Sequence, residues 1–179
     1  GNHDNMDKSN TLNNNGFFAS THAMPLNGYE GEKGVCYYFK YSNALFIAIN
    51  NENLNKDNVE VVMEWVQKVI DENRTKYLIF TEHYQWFNLL HGSCFQFNRW
   101  KDFFDKNHVD LALGANHHIY ARSKNILNGE VVENGKGTVY LQTSSSDNER
   151  GQGTYITGDP KELETTSDYQ KEILEYYYT

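Results

Sequence analysis

The sequence predicts an α/β fold, because strand-like segments alternate along the chain with segments of helical periodicity. Short runs rich in apolar, β-branched and aromatic residues lie at 35–41, 44–50, 77–81, 109–113 and 138–141. Between them, residues 57–70 and 95–106 carry apolar side chains at intervals of three and four positions. This alternation is typical of a layered domain in which helices pack against a sheet.

The first two strands are expected to form a hairpin. Val35–Tyr41 and Ala44–Asn50 have the composition of strands, and the Ser42-Asn43 pair between them favours a tight turn. Tyr77–Thr81 is a continuous apolar run, which indicates a strand with both faces covered. Val109–Leu113 is predicted to be another buried strand.

Two helices are predicted between these strands. The first is expected to begin at Asp57 as its N-cap, with Glu60 at the spacing of a capping box. Its apolar face consists of Val59, Val62, Met63, Val66, Val69 and Ile70. The second is expected to run from Phe95 to Lys106, with an apolar stripe of Phe97, Trp100, Phe103 and Phe104.

The last third of the chain is less regular. Asn128-Gly129 is a turn sequence, and Thr138–Leu141 has the composition of a strand. Thr166–Tyr178 has two interpretations: a helix over the whole segment, or a strand that starts at the tyrosines 176–178.

Composition limits the possible functions. The chain has 179 residues and a net charge of -8, which suits one domain or a piece of a larger one. The acidic balance argues against general nucleic-acid binding, and no apolar run approaches the ~18 residues of a membrane span. The two cysteines cannot build a disulfide framework. If the substrate is an anion, something other than side-chain charge must attract it.

Polar, metal-capable residues follow the predicted strands, where ligands gather in open α/β sheets. Glu82-His83 follows Tyr77–Thr81, and the run 114–118 (Gly-Ala-Asn-His-His) follows Val109–Leu113. The first four residues, Gly-Asn-His-Asp, would follow a strand that the chain does not contain. Imidazole nitrogen and carboxamide oxygen are ligands for borderline divalent ions, so the strand ends predict a metal site.

These segments resemble the signature blocks of the calcineurin-like metallophosphoesterases. Gly1–Asp4 is similar to the G-N-H-[DE] block, and Phe80–His83 occupies the place of the V-x-x-H block. Leu113–Arg122 resembles the G-H-x-H block, in the form G-H-x-H-x-Y-E-R typical of purple acid phosphatases. Gly34–Asn50 resembles the hairpin that lies between these blocks in that subfamily. Their order and spacing agree from Gly1 to about Ser145.

The resemblance implies a fold, an activity and a set of cofactors. Residues 1–179 would form a single partial catalytic domain, within a four-layer αββα sandwich with mixed sheets. The activity would be hydrolysis of phosphate esters by a dinuclear metal centre. That centre would hold two divalent or trivalent ions (iron, zinc or manganese). The metals would supply the positive field that an acidic protein needs to hold a phosphate ester. The resemblance favours an extracellular or cell-envelope location.

The resemblance also implies residue roles. Asn2 and His83 would ligate one ion, and His118 would ligate the other. His3 would stabilise the phosphoryl group or protonate the leaving oxygen, with Asp4 orienting the imidazole.

The remaining candidates have more than one possible role. Asn116 stands where the family has the first histidine of G-H-x-H, and it could ligate through oxygen, although more weakly than imidazole. His117 falls at the variable position, and a local shift would let it ligate instead. His117 and His22 are also candidates for contacting substrate at the rim of the pocket.

Departures from the family pattern leave a second function open. The blocks D-x-[GH] and G-D-x-x-Y, which supply the bridging Asp and most ligands of one metal, are absent. We therefore expect residues 1–179 to need the missing N-terminal part of the same protein, and to be inactive or weakly active alone. The alternative is a non-catalytic, degenerate phosphoesterase fold that acts as a binding or structural module. A third, weaker interpretation is an aromatic carbohydrate-binding module, which would require a solvent-facing row of rings.

Overall fold

The chain divides into two compact units, Gly1–His83 and Tyr84–Thr179, and each contains one pair of parallel strands. The computed structural model describes residues 1, 20–52, 54, 58–88, 95–117, 119–143, 157–158 and 168–178. Asn2, His3, Asp4 and His118 lie outside these residues, so their predicted roles remain predictions. The prediction of one partial catalytic domain over residues 1–179 also remains a prediction.

The first unit contains a hairpin, a crossover helix and a third strand. Strands β1 (Tyr37–Tyr41) and β2 (Ala44–Ala48) pair antiparallel across the tight turn that the sequence predicts. Helix α1 (Val59–Asn73) then leads to β3 (Tyr77–Thr81), which pairs parallel with β2. A parallel pair needs such a crossover, because a short turn can only reverse the chain.

The core of the first unit comes from alternate strand residues and one face of the helix. Its buried side chains include Leu45, Ile47, Leu78 and Phe80 from the strands and Val62, Val66, Val69 and Ile70 from the helix. The helical face therefore follows the apolar period of the sequence. The prediction that both faces of β3 are covered is wrong. Buried and more exposed residues alternate along this strand, with Tyr77 41% exposed and Ile79 half-buried.

The predicted start of helix α1 is wrong by one residue. The N-cap is Asn58, and its side chain makes no capping hydrogen bond. With Asn58 as N-cap, the N3 position falls on Val61, so Glu60 cannot complete the predicted capping box. Asp57 lies outside the described residues. Glu60 stands in the first turn, where an acidic side chain interacts favourably with the helix dipole.

The second unit is a mixed sheet with two helices. Its strands are β4 (Leu111–Gly114), β5 (Tyr120–Leu127), β6 (Glu130–Val131), β7 (Thr138–Gln142), β8 (Thr157–Gly158) and β9 (Leu174–Tyr178). The order is β4-β7-β5-β9-β8, with β6 beside β5. β4 and β7 pair parallel, and the other described pairs are antiparallel. Helix α2 (Phe95–Asn107) precedes β4, and α3 (Asp168–Ile173) precedes β9. Both interpretations of the C-terminal tail are thus partly right.

An aromatic cluster forms the core of the second unit. Its fully buried rings are those of Trp86, Phe87, Phe97, Trp100, Phe104 and Tyr140. The Tyr140 ring lies at the centre, with ring centroids 4.8 Å from Phe97 and 5.5 Å from Trp86, both edge to face. Edge-to-face pairs add to the free energy of burying the rings, so this cluster holds α2, β7 and the segment before α2 together.

The predicted α/β class with mixed strand pairing is confirmed. In the part of the chain that the structure describes, none of the helices has the length and apolar character needed to cross a membrane.

One buried hydroxyl provides a test of the second unit. The register of β5 against β7 shifts between Arg122 and Asn125, and in this interval the Ser123 hydroxyl accepts a hydrogen bond from Tyr140 N–H at 2.9 Å. We expect Ser123→Ala to lower the free energy of unfolding by about 1–3 kcal/mol, because it leaves that buried N–H unsatisfied. Urea denaturation followed by circular dichroism measures the change. The exposed Thr143→Ala is the control, and an equal loss in both variants would contradict the role of Ser123.

Candidate functional site

A cleft of about 260 Å³ opens at the carboxyl ends of β2 and β3 in the first unit. Because β2 and β3 are parallel, Ala48 and Thr81 end side by side, and Ile49 N–H extends the pairing to the Thr81 carbonyl at 3.1 Å. The residues that follow both strands line the cleft, together with Gly1, Val35 and Tyr37. They are Asn50 and Asn51 after β2, and Glu82 and His83 after β3.

The imidazole of His83 lies directly against Gly1. A Cβ atom added to Gly1 would stand 2.7 Å from both Cε1 and Nδ1 of His83, so a side chain at position 1 would require the His83 ring to shift. The Gly-Asn-His-Asp segment therefore begins in contact with the histidine two residues after β3. This contact joins two of the segments that the sequence singled out.

Two buried polar side chains, Asn51 and Glu82, form a pair at the residue that precedes His83. Glu82 is 7% exposed and Asn51 is 6% exposed, and the Asn51 side chain donates a hydrogen bond through Nδ2 to Glu82 Oε2. Burying a carboxylate is unfavourable unless it is hydrogen-bonded. The pair thus holds the residue next to His83 in a defined position.

Asn50, which follows β2, is held by two residues that precede β1 in the same unit. Its backbone N–H donates to the Cys36 sulfur at 3.2 Å, and its side-chain Nδ2 donates to Glu32 Oε2 at 3.1 Å. Burial raises the pKa of the Cys36 thiol to about 12, an effect that the Asn50 hydrogen bond opposes and the nearby Glu32 charge reinforces. The thiol is therefore a structural anchor, protonated at neutral pH.

In the second unit, the segment after His83 is fixed over the end of β4. Ala115 N–H donates to the Tyr84 carbonyl at 3.4 Å, and the Trp86 indole N–H donates to the Ala112 carbonyl at 2.9 Å. Gly114 makes the approach possible, since a Cβ there would stand 2.5 Å from the Tyr84 oxygen. Further along, Phe87 N–H donates to Gln142 Oε1 at 3.0 Å.

This fixed segment brings Gln85 to the candidate residues after β4. Asn116 Nδ2 donates to Gln85 Oε1 at 2.9 Å, and Gln85 Nε2 lies 3.2 Å from His117 Nε2. All three side chains are half-buried. Asn116 has a φ of 64°, in the left-handed region that asparagine tolerates better than most residues. One carboxamide thus bridges two candidate ligands.

The structure places four of the predicted site residues. His83 lines the cleft of the first unit, whereas Asn116 and His117 share Gln85 in the second. His22 is exposed, with Thr21 Oγ1 2.9 Å from its Nδ1, and it is not among the residues that line the cleft. A substrate contact by His22 stays a prediction.

Three residues at these sites had no predicted role. Asn51 follows β2 just as Glu82 and His83 follow β3, so the same strand-end rule could have found it. Gln85 carries no such signal, because a single glutamine in an aromatic segment resembles an ordinary loop residue. Glu82 belongs to the metal-capable pair that the sequence predicts after β3, but the sequence assigns it no role of its own.

Among the residues that the structure describes, no three His, Cys, Asp or Glu side chains converge as a metal site. The donor types that are present do suit the implied ions. His83 offers an imidazole beside Gly1, and Asn2 is the next residue in the chain. Asn116 offers a carboxamide oxygen.

In comparisons with known proteins, parts of this chain are similar to parts of several solved structures, and the sequence comparisons found no match. No protein-family profile and no curated protein matches this chain.

Solved structures similar to the chain include a purple acid phosphatase, PPD1, from yellow lupin (Lupinus luteus) seeds. The identity is 18% and the TM-score 0.44, over 60% of this chain and 22% of the lupin chain. GAP50, the anchor in the inner membrane complex of Plasmodium, has 12% identity and a TM-score of 0.47, over 80% of this chain and 42% of its own. A hypothetical protein from Thermus thermophilus has 16% identity and a TM-score of 0.38, over 66% of this chain and 42% of its own. The chain thus spans less than half the length of each of these three neighbours. Structural similarity at this level does not show that this chain has their activity.

The buried thiol gives a test of the loop that holds Asn50. We expect Cys36 in a Cys94→Ser background to resist iodoacetamide at a pH just below the ordinary thiol pKa of 9.0, and to react fully in urea. Because the folded pKa is raised, the thiol's contribution to stability is complete below pH 9.0 and declines as the pH rises towards about 12. Mass spectrometry measures the labelling. Rapid labelling of the folded chain would contradict this burial.

Proposed function

We propose that this chain belongs to a metal-dependent phosphoesterase and takes part in hydrolysis of phosphate esters by a dinuclear metal centre. The observation that supports this most is the contact between Gly1 and the His83 imidazole. It joins the start of the G-N-H-D segment to the histidine that follows a parallel strand, and the resemblance pairs the next residue, Asn2, with this histidine at one ion.

Each described cluster has a role in this proposal. In the first unit, His83 would bind one ion with Asn2, and Glu82 and Asn51 would hold the end of β3 in place. In the second unit, Asn116 would join His118 at the other ion. His3, oriented by Asp4, would act on the phosphoryl group, and His117 and His22 would contact substrate.

The bound ions would lower the pKa of a shared water and stabilise charge on the attacking and leaving oxygens. They also account for how a chain of net charge -8 could attract an anionic substrate, since a bound metal is the largest local charge in its site. We propose iron, zinc or manganese as the ions, because histidine and carboxamide donors suit borderline metals.

A non-catalytic module is the second candidate, and Asn116 is the observation that favours it. A carboxamide in place of imidazole weakens one metal site, and Asn116 already donates a hydrogen bond to Gln85. The carbohydrate-binding interpretation has less support. On β1 and β2 the Phe39 and Phe46 rings stack on one another at 4.8 Å with an interplanar angle of 3°, so these ring faces are turned towards each other.

Metal content and hydrolysis of p-nitrophenyl phosphate test the proposal in the full-length gene product. We expect His83→Ala to lower metal affinity by about 100-fold or more, since loss of a direct ligand should exceed the ~10–100-fold typical of supporting residues. Phosphatase activity should fall with the metal. Elemental analysis and steady-state kinetics measure the two effects.

His108→Asn is the matched control. His108 is exposed and has a φ of 52°, which asparagine also tolerates, so this change removes an imidazole without straining the backbone. We expect its metal content and activity to equal those of the natural protein. If the full-length product carries no metal and His3→Ala leaves hydrolysis unchanged, the enzymatic proposal is wrong and the non-catalytic module stands.

A further inference from the structure

We propose that the outer edge of strand β1 is a pairing site for β1 of a second copy of this chain, and that the Asn27 side chain closes this site in the single chain. The site lies on the hairpin of the first unit, and among the described strands β1 pairs only with β2. The inference does not depend on the proposed phosphoesterase function.

The Asn27 carboxamide binds β1 as a neighbouring strand would. Its Nδ2 donates to the Tyr38 carbonyl at 2.9 Å, and its Oδ1 accepts from the Tyr38 N–H at 3.1 Å. In an antiparallel ladder, only alternate residues of a strand direct their N–H and C=O groups towards the same neighbour. Both backbone groups of Tyr38 therefore face away from β2, and Asn27 occupies the place of one residue of a further strand.

Strand β1 has the composition of a segment that pairs with other chains when its edge is open. Lys40 stands two residues after Tyr38, so its backbone groups face the same outer edge. The side chains of Phe39 and Tyr41 are 44% and 75% exposed. Natural proteins protect such edges with a charged side chain or a covering loop. Lys40 supplies the charge, and the loop that carries Asn27 supplies the cover.

The loop that carries Asn27 is held against the start of β1. A Cβ atom added to Gly28 would stand 2.2 Å from the Cys36 carbonyl oxygen, so a side chain there would force two backbone segments apart. The Tyr29 ring contacts Trp65 of helix α1, with the ring centroids 6.0 Å apart. Because the loop is already ordered by these contacts, little conformational entropy is lost when Asn27 binds the strand edge.

A second β1 strand fits this edge in the antiparallel direction, with Phe39 opposite Phe39 of the other copy. In that register Tyr38 lies opposite Lys40, and the two residues exchange backbone hydrogen bonds. The Lys40 ammonium then meets the Tyr38 ring, which is a favourable pair. An axis at Lys40 would place two ammonium groups opposite each other, and an axis at Tyr38 would place Lys40 opposite the buried Cys36. Pairing uses the edges of both copies, so assembly stops at a dimer.

Size-exclusion chromatography with light scattering tests the closed edge in the full-length gene product. We expect Asn27→Ala to double the molar mass relative to the natural protein as the concentration rises, because both hydrogen bonds that close the edge are lost. Asn27→Asp should dimerise about tenfold more weakly than Asn27→Ala, since a carboxylate still accepts from the Tyr38 N–H. Asn134→Ala is the matched control, because Asn134 is exposed and also precedes a glycine. We expect it to keep the natural mass.

Disulfide trapping tests the register. Phe39→Cys in an Asn27→Ala, Cys94→Ser background should give a cross-linked dimer on mild oxidation, because residue 39 of the two copies would form a non-hydrogen-bonded pair at the Cα separation that a disulfide needs. Tyr41→Cys in the same background should not cross-link, since Tyr41 would lie opposite Tyr37. With Asn27 retained, Phe39→Cys should cross-link about tenfold more slowly. Non-reducing gel electrophoresis measures the yield.

Two results would overturn the inference. One is a folded Asn27→Ala variant that keeps the natural mass at every concentration, and the other is equal cross-linking of Phe39→Cys and Tyr41→Cys. Circular dichroism shows whether Asn27→Ala folds. If it does not fold, Asn27→Asp decides by the same measurements, and a natural mass for that variant then overturns the inference. Neither measurement involves metal or hydrolysis, so failure of the proposed function leaves this test intact.

Discussion

Parallel pairing of two strands in each unit is the constraint on which both candidate clusters depend. Parallel strands end at the same edge, so the residues after β2 and β3 meet, as do the ends of β4 and β7. Thr143 N–H bonds to the Gly114 carbonyl at 2.9 Å and continues the second pairing beyond its strands. Loops that leave such an edge carry side chains on a rigid base, which is the usual setting of ligand sites in α/β proteins.

Buried polar side chains give these edges their rigidity. Asn51 is bonded to Glu82, Asn50 to Glu32, and Gln142 to the backbone of Phe87. Removing one member of such a pair leaves its partner unsatisfied in a low-dielectric environment, so each pair resists rearrangement. A similar contact lies at Gln85, whose carboxamide accepts a hydrogen bond from Asn116 and lies 3.2 Å from His117 Nε2.

Segments with strong apolar patterns were predictable, and segments stabilised by tertiary pairing were not. β3 has the predicted bounds, and α2 ends one residue later than predicted. β5 had no strand signal, because polar residues occupy its middle from Arg122 to Asn125. It forms because β7 and β9 pair with it on both sides and the Ser123 hydroxyl takes the place of a ladder acceptor.

The sequence by itself determined the α/β alternation, the hairpin, and the candidate residues His83, Asn116 and His117. These are local properties, since periodicity and strand-end polarity depend on neighbours along the chain. The tertiary structure decided that Gly1 contacts His83, that Asn51 holds Glu82, and that Gln85 bridges Asn116 and His117. Those contacts join residues about 30 or more positions apart, or 82 in the case of Gly1 and His83, and only the packing of strand ends brings them together.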